Sequence, residues 1–292
     1  VILALFPFCL ALTRFMPLTI PFGRFNLPLH PAGALVMGIL NVTPDSFSDG
    51  GQHASLEFAL AHAEQMMEQG VDIIDIGGES TRPGAPVVSL EDELRRVLPV
   101  LYALRDCGKA ISVDTYKPLV MREAILAGVD MINDINAFRA EGAIDAVRDS
   151  DCALCIMHMR GEPSTMQQQP EYGDVVQEVT AFLRERIEAL TAAGIERRRL
   201  WIDPGFGFGK TIEHNYALVK AGRQMVAELG VPLLAGLSRK SMIGAVTGKP
   251  VEQRMAGSVG GALAAVAHGA QIVRVHDVAE TVDALKVWQA AN

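Results

Sequence analysis

Polar or ionisable residues close one apolar run after another along this chain. They are Asn41, Glu79 with Thr81 and Arg82, Asp114, Asn133, Met157 with His158, Asp203, Ser238 with Lys240, and Arg274 with His276. Asp, Lys and Arg are seldom buried unless paired or functional, so such a series points to a site rather than to scattered surface groups. The types divide in two. Arg82, Lys240, Arg274 and His276 suit an anion such as phosphate or pyrophosphate. Asp114, Asn133 and Asp203 offer acceptors and one amide donor group, which suits a flat heterocycle rich in N–H groups. Asn41 has an oxygen for a hard cation such as Mg²⁺, which keeps several waters and bridges phosphates. Taken singly, Asp114 or Asp203 reads equally well as a turn or cap residue. Repeated at run after run, that reading loses force.

The loop NVTPDSFSDGG at 41–51 follows the apolar run Leu35–Leu40. A buried strand giving way to amide, carboxylate and aromatic groups, here with Phe47, is a place for chemistry. Two other motifs mislead. Pro204 to Thr211, PGFGFGKT, resembles a P-loop, but Pro204 stands where that pattern requires Gly, so it reads as a Gly-rich turn. Cys152 and Cys155 form a C-x-x-C with His158 nearby; they lack a second close pair and lie on an apolar run, so they read as buried thiols.

The elements that must position these groups repeat as apolar run, polar turn and helix. The runs are Leu35–Asn41, Val71–Gly77, Ala110–Asp114, Met131–Asn136, Ala153–Met159, Leu200–Asp203, Pro232–Ser238 and Ile272–His276. Helical segments are expected at Ser55–Gln69, Ser89–Cys107, Lys117–Ala127, Asp174–Ala193, Glu213–Leu229, Val251–His268 and Val278–Ala290, with a short one within Phe138–Asp149. Most end at a Gly, which is C-capping chemistry. Eight such units predict a (β/α)₈ barrel, the α/β TIM-barrel class, in one domain. The alternative, a doubly wound open sheet, has fewer strands and a Gly-rich phosphate loop after the first, which this chain lacks. Strand parity puts Arg274 with His276 and Ser112 with Asp114 on common faces, and Ser238 with Lys240 if the strand geometry persists that far, and it turns Val273 and Val275 towards the helices. The segment Phe22–Leu29 precedes the first strand and is expected to cover the barrel bottom.

A chain of 292 residues, about half of them apolar, supports a sizeable core, and a formal charge of -8 argues against a nucleic-acid surface. Its four Cys form no disulfide framework, in keeping with reduced cytoplasmic thiols. Val1–Leu12 is almost wholly apolar but too short to span a membrane. Residues 1–21 read as a disordered leader, with Met16 as the expected start of the protein proper.

Seven ordered motifs carry a family resemblance: NVTPDSFSDGG at 41–51, DIGGESTRPG at 75–84, SVDTYKP at 112–118, NDI at 133–135, DPGFGFGK at 203–210, SRKSMIG at 238–244 and RVHD at 274–277. From about Phe22 onwards the chain resembles the dihydropteroate synthases, folate-pathway enzymes targeted by sulfonamides. The resemblance implies a Mg²⁺-dependent transferase on a (β/α)₈ barrel, typically a homodimer. It condenses 6-hydroxymethyl-7,8-dihydropterin pyrophosphate with 4-aminobenzoate. By the same resemblance, Asp114, Asn133, Met157, Asp203, Phe208, Lys240 and Arg274 line the pterin site, with Asp114, Lys240 and Arg274 closest to the chemistry. Asn41, Arg82, Arg274 and His276 hold pyrophosphate, and Asn41 ligates the metal. Phe47, Thr81, Pro83 and Ser238 surround the aminobenzoate.

Two rivals use the same pterin-binding barrel. A methyltetrahydrofolate:corrinoid methyltransferase would need no pyrophosphate site, so the Arg82, Lys240, Arg274 and His276 set speaks against it. A non-catalytic pterin-binding paralogue would be expected to lack some of the motif residues, and none is missing.

Overall fold

Eight parallel strands close on themselves in the order in which they occur along the chain. They are β3 (Leu35–Asn41), β4 (Ile73–Gly77), β5 (Ala110–Asp114), β6 (Met131–Asp134), β7 (Ala153–Met157), β8 (Leu200–Asp203), β9 (Leu233–Ala235) and β10 (Ala270–Val275), with β10 pairing back onto β3. The computed structural model describes residues 18–42, 51–80, 85–161 and 170–292. The apolar leader and Met16 lie outside them.

The helices are α1 (Gly51–Glu68), α2 (Leu90–Leu104), α3 (Pro118–Leu126), α4 (Ala143–Val147), α5 (Val175–Ala192), α6 (Ile212–Leu229), α7 (Ser241–Thr247), α8 (Met255–Ala267) and α9 (Val278–Ala291). Their starts follow local chemistry. Ser89 accepts from the Asp92 N–H at the head of α2, and Thr211 with His214 forms a reciprocal capping box at the head of α6. Two differences from the sequence expectation occur in one stretch. The short α7 was not foreseen, and the expected helix Val251–His268 is a 3₁₀ turn at Val251–Gln253 followed by α8. Neither α7 nor α8 has a side-chain N-cap to announce it.

Strand alternation sorts the core into two shells. Outward residues such as Val36, Ile74, Ile111, Ile132, Leu154, Ile202, Val273 and Val275 pack against the helices, as parity predicts for Val273 and Val275. Inward residues near the strand starts, among them Leu35, Ile73, Ala110, Met131, Ala153, Trp201, Leu234 and Ile272, form a separate plug.

A hairpin of β1 (Leu18–Phe22) and β2 (Phe25–Leu29) closes that end and adds Phe22 and Leu29 to the plug. The expected leader boundary after residue 21 therefore falls inside β1. Phe22 meets Trp201 edge to face at 5.9 Å. Its turn is pinned by Arg24, whose Nε and Nη2 each donate to Asp130 at 2.9 Å. Gly23 has φ +55, and a Cβ there would lie 2.6 Å from the Asp130 Cα, so only glycine fits.

Candidate active site

The other end of the barrel is built from the same alternation with a different choice of residues. Strand register aligns Asn41, Gly77, Asp114 and Asn133 in one rung across four strands, and Met157 with Asp203 across the next pair. Gly77 leaves room between its neighbours: a Cβ there would sit 3.5 Å from the Asn41 Oδ1 and 3.9 Å from the Asp114 Cβ. Gly236 does the same beside Arg274 and Lys240. Two side-chain-free positions thus open a hollow where the plug below is filled.

Arg274 rises from β10 into this hollow. Its Nε donates to Asp75 Oδ2 at 2.6 Å and its Nη2 to Asp114 Oδ2 at 2.9 Å. Burial pushes the Asp114 carboxyl up to about 7, against the pull of Arg274 and with help from Asp75. The paired carboxylates hold the Arg274 guanidinium charged, above its ordinary range despite burial.

Lys240 reaches the same hollow, where Gly236 leaves room for both it and the Arg274 stem. Its Nζ donates to the Phe206 carbonyl at 2.5 Å and sits 4.8 Å from the centre of the Phe208 ring. Burial lowers it to about 8, although the Asp203 charge opposes the shift. Burial likewise raises Asp203, opposed first by Lys240. The turn reading of Asp203 is half right, since its Oδ1 accepts the Gly205 N–H at 2.7 Å. Met157, Ile135 and Met159 pack with Tyr116 and Phe208 into an apolar wall. Acceptors, cations and a flat apolar wall therefore meet in one place.

The flank expected to bind an anion is described in part. The His276 Nδ1 lies 3.0 Å from the Ser238 Oγ, so residues expected to serve different ligands touch. The strand geometry on which shared parity of Ser238 and Lys240 depends does not persist that far, because β9 ends at Ala235 and Arg239 turns left-handed at φ 58 between them. Three groups hold that turn: Asp277 pairs with the Arg239 side chain, Ser258 accepts its N–H, and Arg254 donates to its carbonyl. Phe47, Thr81, Arg82 and Pro83 lie outside the described residues.

Glu79 and His158, polar groups at strand ends, have structural partners, as do residues of the two misleading motifs. Glu79 accepts from Lys117, which also pairs with Glu93, and from the Tyr116 hydroxyl at 3.1 Å. The false P-loop lysine, Lys210, is buried and lies 2.9 Å from the His158 Nδ1, with the Phe208 carbonyl at 3.0 Å. Burial lowers Lys210 to about 7 and His158 to about 3, so the imidazole is neutral. Cys152 and Cys155 are buried free thiols. Among the described residues, no group of three or more His, Cys, Asp or Glu is placed to hold a metal.

Sequence reasoning missed Asp75 and Asp134. Asp75 was hidden in the run Val71–Gly77, yet an acid on the inward parity of a buried strand needs a cation, and Arg274 shares that inward parity. Asp134 faces the other way and accepts the Asn136 and Phe138 N–H groups at 2.7 Å. It fixes the turn where Ala137 and Phe138 are both left-handed.

A cleft of about 670 Å³ opens at the hairpin end, lined by residues such as Leu29, His30, Leu35, Asp72 and Gln289. Its carboxylate, Asp72, is committed to the Val36 N–H at 2.8 Å, and no cation set converges there. The buried acceptors and cations converge at the other end, where the strands' C-terminal ends lie.

Comparison with known proteins shows the family. Residues 37–276 match the family described as pterin binding enzyme. The chain is 55% identical to dihydropteroate synthase of Haemophilus influenzae over 258 residues, covering 87% of this chain and 93% of that protein. It is similar to Burkholderia cenocepacia dihydropteroate synthase complexed with 7,8-dihydropteroate (TM-score 0.85, 52% identity, 94% of this chain and 96% of that one). It is also similar to the Yersinia pestis dihydropteroate synthase in a sulfonamide drug complex (TM-score 0.87, 46% identity, 94% and 98%).

Proposed function

The chain belongs to the dihydropteroate synthase family of pterin-binding enzymes, and from that premise we propose how its barrel mouth divides the reaction. The reaction condenses 6-hydroxymethyl-7,8-dihydropterin pyrophosphate with 4-aminobenzoate, giving 7,8-dihydropteroate and pyrophosphate. The observation that carries the proposal is Arg274, held between Asp75 and Asp114 beside Lys240 and Asp203.

The pterin ring lies against Met157 and Phe208, with Asp114, Asn133 and Asp203 taking its N–H groups and Lys240 its oxygen and nitrogen acceptors. Flat apolar walls and convergent acceptors support that pose. Arg274, His276, Arg82 and Asn41 face the pyrophosphate. Phe47, Thr81, Pro83 and Ser238 form the aminobenzoate side, which sulfonamides also occupy. The bond from the pterin methylene carbon to oxygen breaks, and its electron pair leaves with pyrophosphate. The electron-rich ring carries the resulting cation, which the Asp114 carboxylate stabilises electrostatically. The arylamine nitrogen then attacks the methylene carbon and loses a proton. No protein nucleophile is required.

Mg²⁺ belongs to the proposal as an ion that the pyrophosphate brings with it. The Asn41 carboxamide offers one oxygen at the rim of the hollow, beside Gly77, as a ligand for a cation that keeps its waters. When bound, Mg²⁺ supplies charge neutralisation to the leaving group.

A homodimer is also proposed. Met255, Ala256, Gly260 and Ala264 form an exposed small and apolar stripe on α8, and light scattering at micromolar protein tests it. A cytoplasmic setting completes the proposal, supported by the free thiols of Cys107, Cys152 and Cys155. No helix among the described residues is long and apolar enough to cross a membrane.

The deciding assay follows pyrophosphate and dihydropteroate together, with and without 4-aminobenzoate. Matched, aminobenzoate-dependent appearance of both is expected. Methyl transfer to a corrinoid in place of that turnover would favour the methyltransferase reading.

A further inference from the structure

We propose that Asp75 is a positioning residue for the reaction: it fixes the Arg274 guanidinium and shares its charge, so that Asp114 stays available to the pterin. The inference rests on the assignment of Arg274 and Asp114 to the pterin site.

Asp75 is fully buried in the middle of β4, on the inward face, one rung below Gly77 and two strands from the strand that carries Arg274. Arg274 is level with Met37 by register, so its side chain must climb the barrel to reach Asp114. Asp75 meets it on the way, at the Nε, which is the group nearest the stem. A guanidinium held at Nε and Nη2 has its plane and its long axis both fixed. Nη1 takes part in neither contact, and the side chain remains 20% exposed towards the hollow. Without Asp75, the Asp114 carboxylate would be the one partner holding the guanidinium, and orientation about the remaining bond would be free.

Asp75 is not a residue that stability alone would keep. Its Oδ1 is buried with no hydrogen-bond partner among the described residues, and so is the Ser112 Oγ beside it on the same rung. A half-satisfied buried carboxylate is a poor stabiliser compared with a packed apolar side chain. The rung below is filled by such side chains, with Ile73 and Ala110 at the matching positions. What Asp75 supplies that an apolar residue cannot is a fixed negative charge on the stem side of Arg274.

A double-mutant cycle tests this by steady-state kinetics on the full-length protein, with the pterin and aminobenzoate concentrations varied separately. Asp75→Asn should lower kcat/KM for the pterin pyrophosphate by about 10- to 100-fold, as loss of precise positioning does, and leave the KM for 4-aminobenzoate nearly unchanged. Arg274→Ala should lose at least as much, and adding Asp75→Asn to it should cost little more, because Asp75 acts through Arg274. Equal losses for both substrates, or losses that multiply in the double variant, would reduce Asp75 to a structural residue and overturn the proposal. Should Asp75→Asn not fold, Asp75→Glu keeps the charge and moves the oxygens by one methylene. A marked loss in pterin kcat/KM then supports the role, and wild-type kinetics overturns it. Failure of the underlying site assignment is distinct: Arg274→Ala itself would keep wild-type pterin kinetics.

Discussion

The two ends of the barrel solve opposite problems with the same strands. At the hairpin end, inward positions are apolar and closed by Phe22 and Trp201, and the buried charge there is fully used. Asp130 accepts both Arg24 side-chain N–H groups, the Arg24 backbone N–H at 3.1 Å and the Ile111 N–H at 2.9 Å. At the other end, the inward positions carry Asp75, Asp114, Asn133, Asp203 and Arg274, and burial displaces the protonation of Asp114, Asp203 and Lys240. Trp201 is the mixed case: its ring belongs to the plug, but its indole N–H finds no partner among the described residues. The difference separates the residues that hold the fold from those that the fold holds for a ligand. On the proposed function, the second group is kept for binding rather than for stability.

That contrast can be broken at either end. The largest effect is expected for Trp201→Ala, which empties the plug and should cost about 3–5 kcal/mol in denaturant unfolding, with pterin affinity of the folded protein unchanged. Next, Asp203→Asn removes a charged acceptor facing the pterin. Its pterin kcat/KM should fall by about 100-fold, near 2.7 kcal/mol, and unaltered kinetics would remove Asp203 from the site. Gly23→Ala should cost about 1–3 kcal/mol of stability through a strained turn, without changing either KM. A thermal melt with no shift would show that the hairpin turn can relax away from Asp130.

The smallest effect is on pH. Asp114 is ionised above about 7 and Lys240 is charged below about 8, so kcat/KM for the pterin substrate should peak between those values. Asp114→Asn should abolish the acidic limb and leave the alkaline one.

Much of this was legible in the sequence. The eight apolar runs locate all eight barrel strands, because a buried parallel strand leaves a continuous apolar signature and each ends in a turn. Parity correctly turned Arg274 and Asp114 inward. It did not extend to Ser238 and Lys240, where the strand stops early and a left-handed Arg239 resets the direction. Asp75 was only partly legible, for a different reason. A single acid in an apolar run has no local signature, and its meaning comes from Arg274, far away in sequence but in hydrogen-bond contact. The hydrogen bond between His276 and Ser238 was invisible for the same reason, since the two lie on different strand ends.

The division of labour between the ends is tested most directly by one variant, Asp114→Asn, measured for both stability and pterin binding at pH 8. Asp114 has a folded pKa raised above its unfolded value, so its contribution to stability is full below about pH 4 and is lost as pH rises through about 7. At pH 8 the carboxylate therefore weighs against folding. The account predicts an unfolding free energy equal to or above wild type, with pterin pyrophosphate affinity lowered by about 100-fold. A clear loss of stability with wild-type affinity would place Asp114 with the structural residues and contradict it.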